Sequence, residues 1–309
     1  MIEPVMHPFK FATDLDSVRA FLSEVCRING SLHYLIPTKI ENQKYGPCGP
    51  DYSQADDETI KIWRSSSTPN SEIIAVSHRG PAGNYHIEIH PKHKEIEKEL
   101  FAQIESLERK RTDNERSRIY MYTVDVDPKR IAHLTQMGYE DYGLHEYNYE
   151  FPSSAAIPQY ELPEGIKVRS LMGEEDYPKY IEIVGSVFIH CSEFMTLERM
   201  RFMTQAEFFY HDLHLVATTQ EDEFVGFCIY RLDPLTKIAE VEGLGIHPDF
   251  TGLGLEKALL CEGMRNLRMK QPLLACAVEV NVSEEFNEQL QSAGYVRSAI
   301  MNMWGKSLA

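Results

Sequence analysis

The residues best suited to chemistry are concentrated in one stretch, 240–255. It reads as an apolar strand, a glycine-bearing turn and the start of a helix. Gly252 and Gly254 lack a Cβ, so successive main-chain N–H groups at this turn can converge on an anion. A helix beginning near Leu255 adds its own unpaired N–H groups and the positive end of its dipole. Together these fit a pyrophosphate; an ordinary strand–turn–helix junction needing two glycines is the other reading. Two other phosphate motifs do not fit. A Walker loop needs Lys followed by Ser or Thr after its second glycine, where Leu255 and Glu256 stand, and a dinucleotide fingerprint needs a small residue at Lys257.

Upstream of the turn, Glu240 and Glu242 are carboxylates able to accept a proton from an amine. Period-two alternation predicts Glu240, Glu242, Leu244 and Ile246 on one face of their strand. Either glutamate could instead face solvent or pair with an arginine such as Arg231.

These residues need a frame, and the apolar pattern of the C-terminal half supplies one. A strand is predicted over 166–169 and a helix over 175–189, where Tyr180, Ile183, Val184 and Val187 recur at helical spacing. Strands over 213–217 and 224–230 flank a polar turn, 218–223. A strand over 239–246, a helix over 255–269, a strand over 273–280, a helix over 284–292 and a closing strand over 296–304 complete the order. That order is an α+β sandwich with a mixed sheet.

The N-terminal half echoes this one. Ile87-Glu88-Ile89-His90-Pro91 returns as Leu244-Gly245-Ile246-His247-Pro248, about 155 residues on. Val124-Asp125-Val126-Asp127 returns as Val278-Glu279-Val280-Asn281, and Leu134-Thr135-Gln136-Met137-Gly138-Tyr139 as Leu290-Gln291-Ser292-Ala293-Gly294-Tyr295. The helix over 95–111 is the counterpart of the one over 255–269. A chain of 309 residues suits two domains, and 153–164, with Ser154, Pro158 and Pro163, reads as the linker between 1–152 and 165–309.

Composition narrows the partners. Lys and Arg number 31 against 47 Asp and Glu, a net charge of −16 that disfavours nucleic acid and anionic membranes. No apolar run is long enough to span a bilayer and the N-terminus lacks a secretory pattern, so a cytoplasmic protein is expected. Six cysteines without a Cys-x-x-Cys pair argue against a zinc ribbon and for reduced buried thiols; no metal site is expected. Tyr210, His211 and His214 are candidates for the wall of an acceptor site, although surface histidines explain them as simply.

The run Gly245-Ile246-His247-Pro248-Asp249-Phe250-Thr251-Gly252-Leu253-Gly254-Leu255 with the later Leu259-Leu260 resembles motif A of the GNAT N-acetyltransferases. Leu290-x-x-x-Gly294-Tyr295 is similar to that family's closing motif. With the strand order, the resemblance covers about 165–305, and the N-terminal echo extends it weakly to about 10–150. It implies tandem acyl-CoA N-acyltransferase (GNAT) folds, each a mixed, mostly antiparallel sheet flanked by helices, the N-terminal copy degenerate. It further implies acetyl-CoA as cosubstrate, the main chain of Leu244, Gly245 and Ile246 on the pantetheine arm, Thr251, Gly252, Leu253, Gly254 and Leu255 around the pyrophosphate, and Asn281 near that arm. Asn281 as a helix cap or turn residue is the alternative. Glu240 aligns with a strand glutamate that serves as base in family histone acetyltransferases, and Glu242 lies one step nearer the reacting carbon.

The chain departs from the family pattern in places. Asp249 and Thr251 replace frequent basic or amide residues, and Glu256 replaces a small one. Leu290 stands where a tyrosine often protonates the departing thiolate. The N-terminal copy follows His90-Pro91 with Lys92, His93, Lys94 and Glu95, leaving no glycine for a cradle. The expected function is acetyl transfer to a primary amine of a small molecule or peptide by direct attack in a ternary complex. A non-catalytic acyl-CoA sensor or scaffold is the alternative, and the acceptor itself is not legible.

Overall fold

The strand pattern is realised twice, in two compact units that exchange segments of chain. The computed structural model describes residues 4–29, 34–46, 59–68, 71–80, 82–111, 118–152, 154–272, 274–279 and 283–308. The first unit comprises Met1–Ile40, Asp51–Tyr147 and Ser298–Ala309; the second comprises Glu41–Pro50 and Asn148–Arg297.

In the first unit, β1 (Val5–Pro8) is followed by α1 (Phe11–Asn29) and the beginning of α2 (Pro37–Tyr45). Then come β2 (Ile60–Arg64), β3 (Ile73–Arg79), β4 (Asn84–Ile89), α3 (Glu97–Arg111), β5 (Arg118–Val124), α4 (Pro128–Gln136) and most of β6 (Glu140–Phe151). Strands β1 to β4 pair antiparallel in sequence order, and β4 pairs parallel with β5 at Asn84 and Tyr85. Val18, Phe21, Leu22 and Val25 of α1, three or four apart, pack on Ile60, Ile62 and Val76. Leu100, Phe101 and Ile104 of α3 do the same against Trp63, Ala75 and Ile87.

The second unit repeats the plan. β7 (Lys167–Ser170), α5 (Tyr177–Val187), α6 (Leu197–Met203), β8 (His214–Thr218), β9 (Phe224–Leu232), β10 (Ile238–Ile246), α7 (Leu255–Met269), β11 (Leu274–Glu279) and α8 (Glu284–Ser292) follow in order. Strands β7 to β10 pair antiparallel in succession, and β10 pairs parallel with β11. Each unit is thus an antiparallel run ending in one parallel pair, the α+β arrangement expected.

The closing strand is a correction. β12 (Val296–Ser307) joins the first unit from Ser298 onward and lies antiparallel to β5, with Met301 opposite Val124 and Ser307 opposite Arg118. Trp304 and Leu308 enter the core formed by Leu100 and Phe101, and Lys306 Nζ reaches Glu105 at 2.9 Å. An alternating apolar pattern specifies a strand with a buried face, but not which sheet edge receives it.

The repeat extends to local geometry. His90 (φ −57°, ψ 131°) accepts a hydrogen bond from the Lys92 N–H, and His247 (φ −55°, ψ 136°) accepts one from the Asp249 N–H. Beyond these caps the two copies part. In the first, the turn Pro91–Ile96 runs directly into α3, and Lys94 sits 3.9 Å from Asp127 within a cluster of buried charge. Arg130 there pairs with Glu97 at 2.8 Å, while Glu88 accepts from the Tyr34 N–H at 2.7 Å.

A further correction concerns the thiols: Cys26, Cys228 and Cys261 are buried and outside any disulfide, but Cys191 is disulfide-bonded. Scattered spacing in sequence does not forbid two cysteines from meeting in the fold. Among the described residues no helix is long and apolar enough to cross a membrane, and no three His, Cys, Asp or Glu side chains are grouped to hold a metal ion.

Candidate functional site

The centre of the site is an irregularity in β10. Val241 lies opposite Tyr230 on β9, and Gly243 lies opposite the very next residue, Ile229, so Glu242 is an extra residue in the ladder. This bulge overturns the expected single face for Glu240, Glu242, Leu244 and Ile246. Glu240 registers with Arg231 and Gly243 with Ile229, whereas Leu244 and Ile246 register with Cys228 and Gly226 on the opposite face. One inserted residue reverses the side-chain parity of everything after it. Both glutamates therefore belong to the α5 face, and Leu244 and Ile246 to the α7 face.

The bulge also opens the sheet. Described pairing of β10 with β11 covers Ile238 to Val241, and among the described residues no strand pairs with that edge of Leu244, Gly245 and Ile246. A cleft of about 260 Å³ lies against this edge, lined by Leu244, Gly245, Ile246, Thr251, Glu256, Ser283 and Phe286 among others. The glycine turn adjoins it. Gly252 and Gly254 both have φ +75°, and a Cβ on either would meet nothing within 4 Å. Their conformation is the left-handed one that side chains resist, and the space beside them is open. Gly254 caps α7 without any side-chain hydrogen bond, so the first N–H groups of the helix are not claimed by a capping side chain.

These features fit the diphosphate and pantetheine arm of coenzyme A: an open strand edge running into a turn with bare amides. Two acidic groups work against it. Burial raises the Glu256 carboxyl above its usual range, and the nearby charge of Glu285 adds to the rise. Thr251 Oγ1 turns back to the Pro248 carbonyl at 3.0 Å, Leu253 is exposed, and Leu255 is fully buried as the anchor of α7. Asn281 lies outside the described residues. Leu290 is fully buried in α8, so that position offers no proton donor. Tyr295 is likewise structural: its hydroxyl meets that of Tyr230 at 2.9 Å, while Tyr230 donates to the Leu260 carbonyl.

On the other face of β10 a cavity of about 210 Å³ is lined by Tyr180, Val184, Phe188, His190, Cys191, Met195, Met203, Ile229, Arg231 and Glu242. Gly243 packs closely beside it: a Cβ there would press on Ile229 and Phe188, both cavity residues, at 3.3 Å, and one on Gly245 would come within 2.5 Å of Val187. Glu242 is the carboxylate of this cavity. Its Oε1 lies 3.0 Å from Arg231 Nη1 and accepts a hydrogen bond from Asn42 Nδ2 at 3.1 Å. The pairing with Arg231 was legible as an option in the sequence; the contact with Asn42 was not. Glu240 is also buried, but it does not line the cavity.

Asn42 belongs to a short wall contributed by α2 and the residue after it. Glu41 Oε1 accepts from the Glu207 N–H at 3.0 Å, Tyr45 packs on Phe202 at 5.1 Å, and Arg199 Nε donates to the Gly46 carbonyl at 2.9 Å. Gly46 is required there, because a Cβ would fall 2.3 Å from Asn42 Oδ1.

The candidate histidines are placed otherwise. His214 is 1% exposed, stacked on Phe209 at 4.1 Å with Nδ1 3.0 Å from the Tyr210 carbonyl; burial lowers its pKa to about 3. A carbonyl only accepts, so Nδ1 carries the proton of a neutral ring. His211 meets the Tyr177 hydroxyl at 2.8 Å, away from the cavity lining, whereas His190 is part of it.

Comparison with known proteins places this geometry. Residues 182–282 match the Acetyltransferase (GNAT) family. A mycothiol acetyltransferase of Paenarthrobacter aurescens is 29% identical over 160 residues, covering 50% of this chain and 49% of that protein. One of Streptomyces coelicolor is 30% identical over 112 residues, 36% of each chain. The chain thus spans about half, or less, of the length of these relatives. A GCN5-related N-acetyltransferase from Sphaerobacter thermophilus superposes with a TM-score of 0.65 over 99% of this chain and 96% of that one, at 16% identity. A tandem GNAT protein from the clavulanic acid biosynthesis pathway gives a TM-score of 0.64 over 99% of both chains, at 14% identity. At such identities the likeness is one of fold.

Proposed function

From the premise that the C-terminal half of this chain belongs to the GNAT acetyltransferase superfamily and that the whole chain has the tandem GNAT fold, we propose that it is an acetyl-CoA-dependent N-acetyltransferase acting on a primary amine of a small molecule. The observation that carries this reading is the bulge at Glu242. It turns Leu244 and Ile246 to the α7 face, beside the cleft that Thr251 shares, and presents a carboxylate to a small cavity on the other face.

Acetyl-CoA supplies a thioester carbonyl. The main chain of Leu244, Gly245 and Ile246 would hold the pantetheine arm along the open edge, and the amides from Thr251 to Leu255 would take the diphosphate. Glu242 acts as general base, receiving the proton that the amine nitrogen loses as it attacks. Asn42 fixes the orientation of that carboxylate, and the apolar lining of the cavity excludes water and holds the acceptor in line. Glu240, deeper in the sheet, supports the strand rather than touching the acceptor. The first unit serves as structure: Lys94 and Glu97 occupy the positions that the repeat assigns to Thr251 and Gly254.

A second reading, a non-catalytic acyl-CoA sensor or scaffold, is favoured by Leu290 in place of a proton donor and by Glu256 and Glu285 beside the cleft. Calorimetry with acetyl-CoA, followed by thiol release over a panel of amines, tests both. Binding with turnover is the expected outcome. Binding without turnover of any amine leaves the sensor, and no binding at all ends both readings.

A further inference from the structure

The cavity beside Glu242 holds more buried donor capacity than the described residues use. Arg231 is 1% exposed, yet its Nη1 and Nη2 have no hydrogen-bond acceptor among the described residues. The 3.0 Å approach of Nη1 to Glu242 is a charge contact without hydrogen-bond alignment. Tyr180, 0% exposed, lines the same cavity and its hydroxyl is also without a partner there. Buried donors of this kind are costly unless something accepts from them. Two in one small cavity, otherwise walled by Val184, Phe188, Met195, Met203 and Ile229, define an anion-binding end in an apolar pocket.

Resting on the acyl-transfer reading above, we infer that the acceptor is an apolar α-amino acid or a close analogue, whose own carboxylate is received by Arg231 and Tyr180. The planar guanidinium offers parallel N–H groups that match the two oxygens of a carboxylate, and the phenol adds a third donor. An α-amino acid carries its ammonium and carboxylate on one carbon. The site mirrors this, with the Glu242 carboxylate and the Arg231 guanidinium side by side at 3.0 Å. The amine therefore meets Glu242 while the carboxylate meets Arg231, and the side chain fills the apolar wall. At about 210 Å³ the cavity is smaller than the roughly 300–1,000 Å³ of pockets for drug-sized ligands, which suits an amino acid. A sugar amine would leave several hydroxyls against Val, Phe, Met and Ile. The transfer balances: the ammonium first gives one proton to solvent, the neutral amine forms the C–N bond as the thioester C–S bond breaks, Glu242 takes the second proton lost by nitrogen, and the thiolate leaves with the coenzyme.

The test uses the full chain, acetyl-CoA and three acceptors of one shape: L-leucine, L-leucinamide and 3-methylbutylamine. Leucine is expected to exceed both neutral-tailed amines in kcat/KM by about tenfold or more, the discrimination a buried ionic contact supports. Tyr180→Phe, which removes one oxygen and keeps the ring, is expected to raise the KM for leucine several-fold while leaving the acetyl-CoA Kd unchanged. Arg231→Lys should reduce the preference for leucine over leucinamide further. Equal or better use of the amide or the plain amine by the unaltered chain, which needs no variant to fold, overturns the inference while leaving amine acetylation intact. Calorimetry of leucine without acetyl-CoA separates the two claims. Leucine binding weakened by Tyr180→Phe supports the carboxylate site even if acetyl-CoA does not bind, and an absence of leucine binding with active turnover of plain amines rejects it.

Discussion

Asn42 Nδ2 donates a hydrogen bond to Glu242 Oε1 at 3.1 Å, although 200 positions of sequence separate the two residues. The carboxylate sits on a bulge, where no sheet register fixes its direction, so an external donor is what orients it. A segment more than a hundred residues before β7 thereby reaches the carboxylate of the cavity. Asn42→Ala is predicted to lower kcat about tenfold, the order of one hydrogen bond to a charged group, with the acetyl-CoA Kd unchanged. Steady-state kinetics beside calorimetry check this; an unchanged kcat would leave Asn42 with a packing role only.

The two glutamates are predicted to separate by role. Glu242→Gln should lower kcat by about 10²- to 10⁴-fold, the range of a lost general base, with the acetyl-CoA Kd unchanged. Glu240→Gln, at a residue that does not line the cavity, should cost less than about tenfold. A larger loss at Glu240 would reverse the assignment.

Gly252→Asp with Gly254→Asp places two carboxylates and two strained φ angles of +75° in the turn. Acetyl-CoA binding is predicted to be lost, with far-ultraviolet circular dichroism unchanged because no atom lies within 4 Å of either new Cβ. Retained affinity would remove the turn from the coenzyme site.

Glu256→Gln is predicted to tighten acetyl-CoA binding about three- to tenfold at neutral pH by removing a partly buried like charge from the cleft. Burial and Glu285 raise the Glu256 carboxyl, so protonation on acidification should strengthen binding by the unaltered protein more than by the variant. Parallel pH dependences of the two Kd values would contradict this.

His214 gives a stability prediction. Its pKa is lowered by burial from 6.5 to about 3. The unfolded chain therefore binds a proton that the folded chain refuses between those values, and stability falls as pH drops through the window. His214→Phe keeps the stacking on Phe209 but cannot titrate, so its Tm should fall less between about pH 7 and about pH 4.5, whatever its starting value. Equal slopes would place the acid sensitivity elsewhere.

Much of this protein is determined locally and so could be read from residues alone. Tyr180, Ile183 and Val184 at helical spacing specify α5, Gly252 and Gly254 specify a turn with open amides, and the His-Pro pairs at 90 and 247 specify the same cap twice. Each rests on backbone conformation or on a periodicity within a few residues. What required the fold were relations between distant segments. The bulge at Glu242 reversed the faces predicted by alternation, because one extra residue is invisible until a partner strand is aligned beside it. Met301 and Trp304 marked a strand, but only tertiary packing chose β5 as its neighbour. Asn42, Arg231 and Tyr180 came together from three elements with no shared spacing, since burial and hydrogen-bond complementarity act across space rather than along the chain.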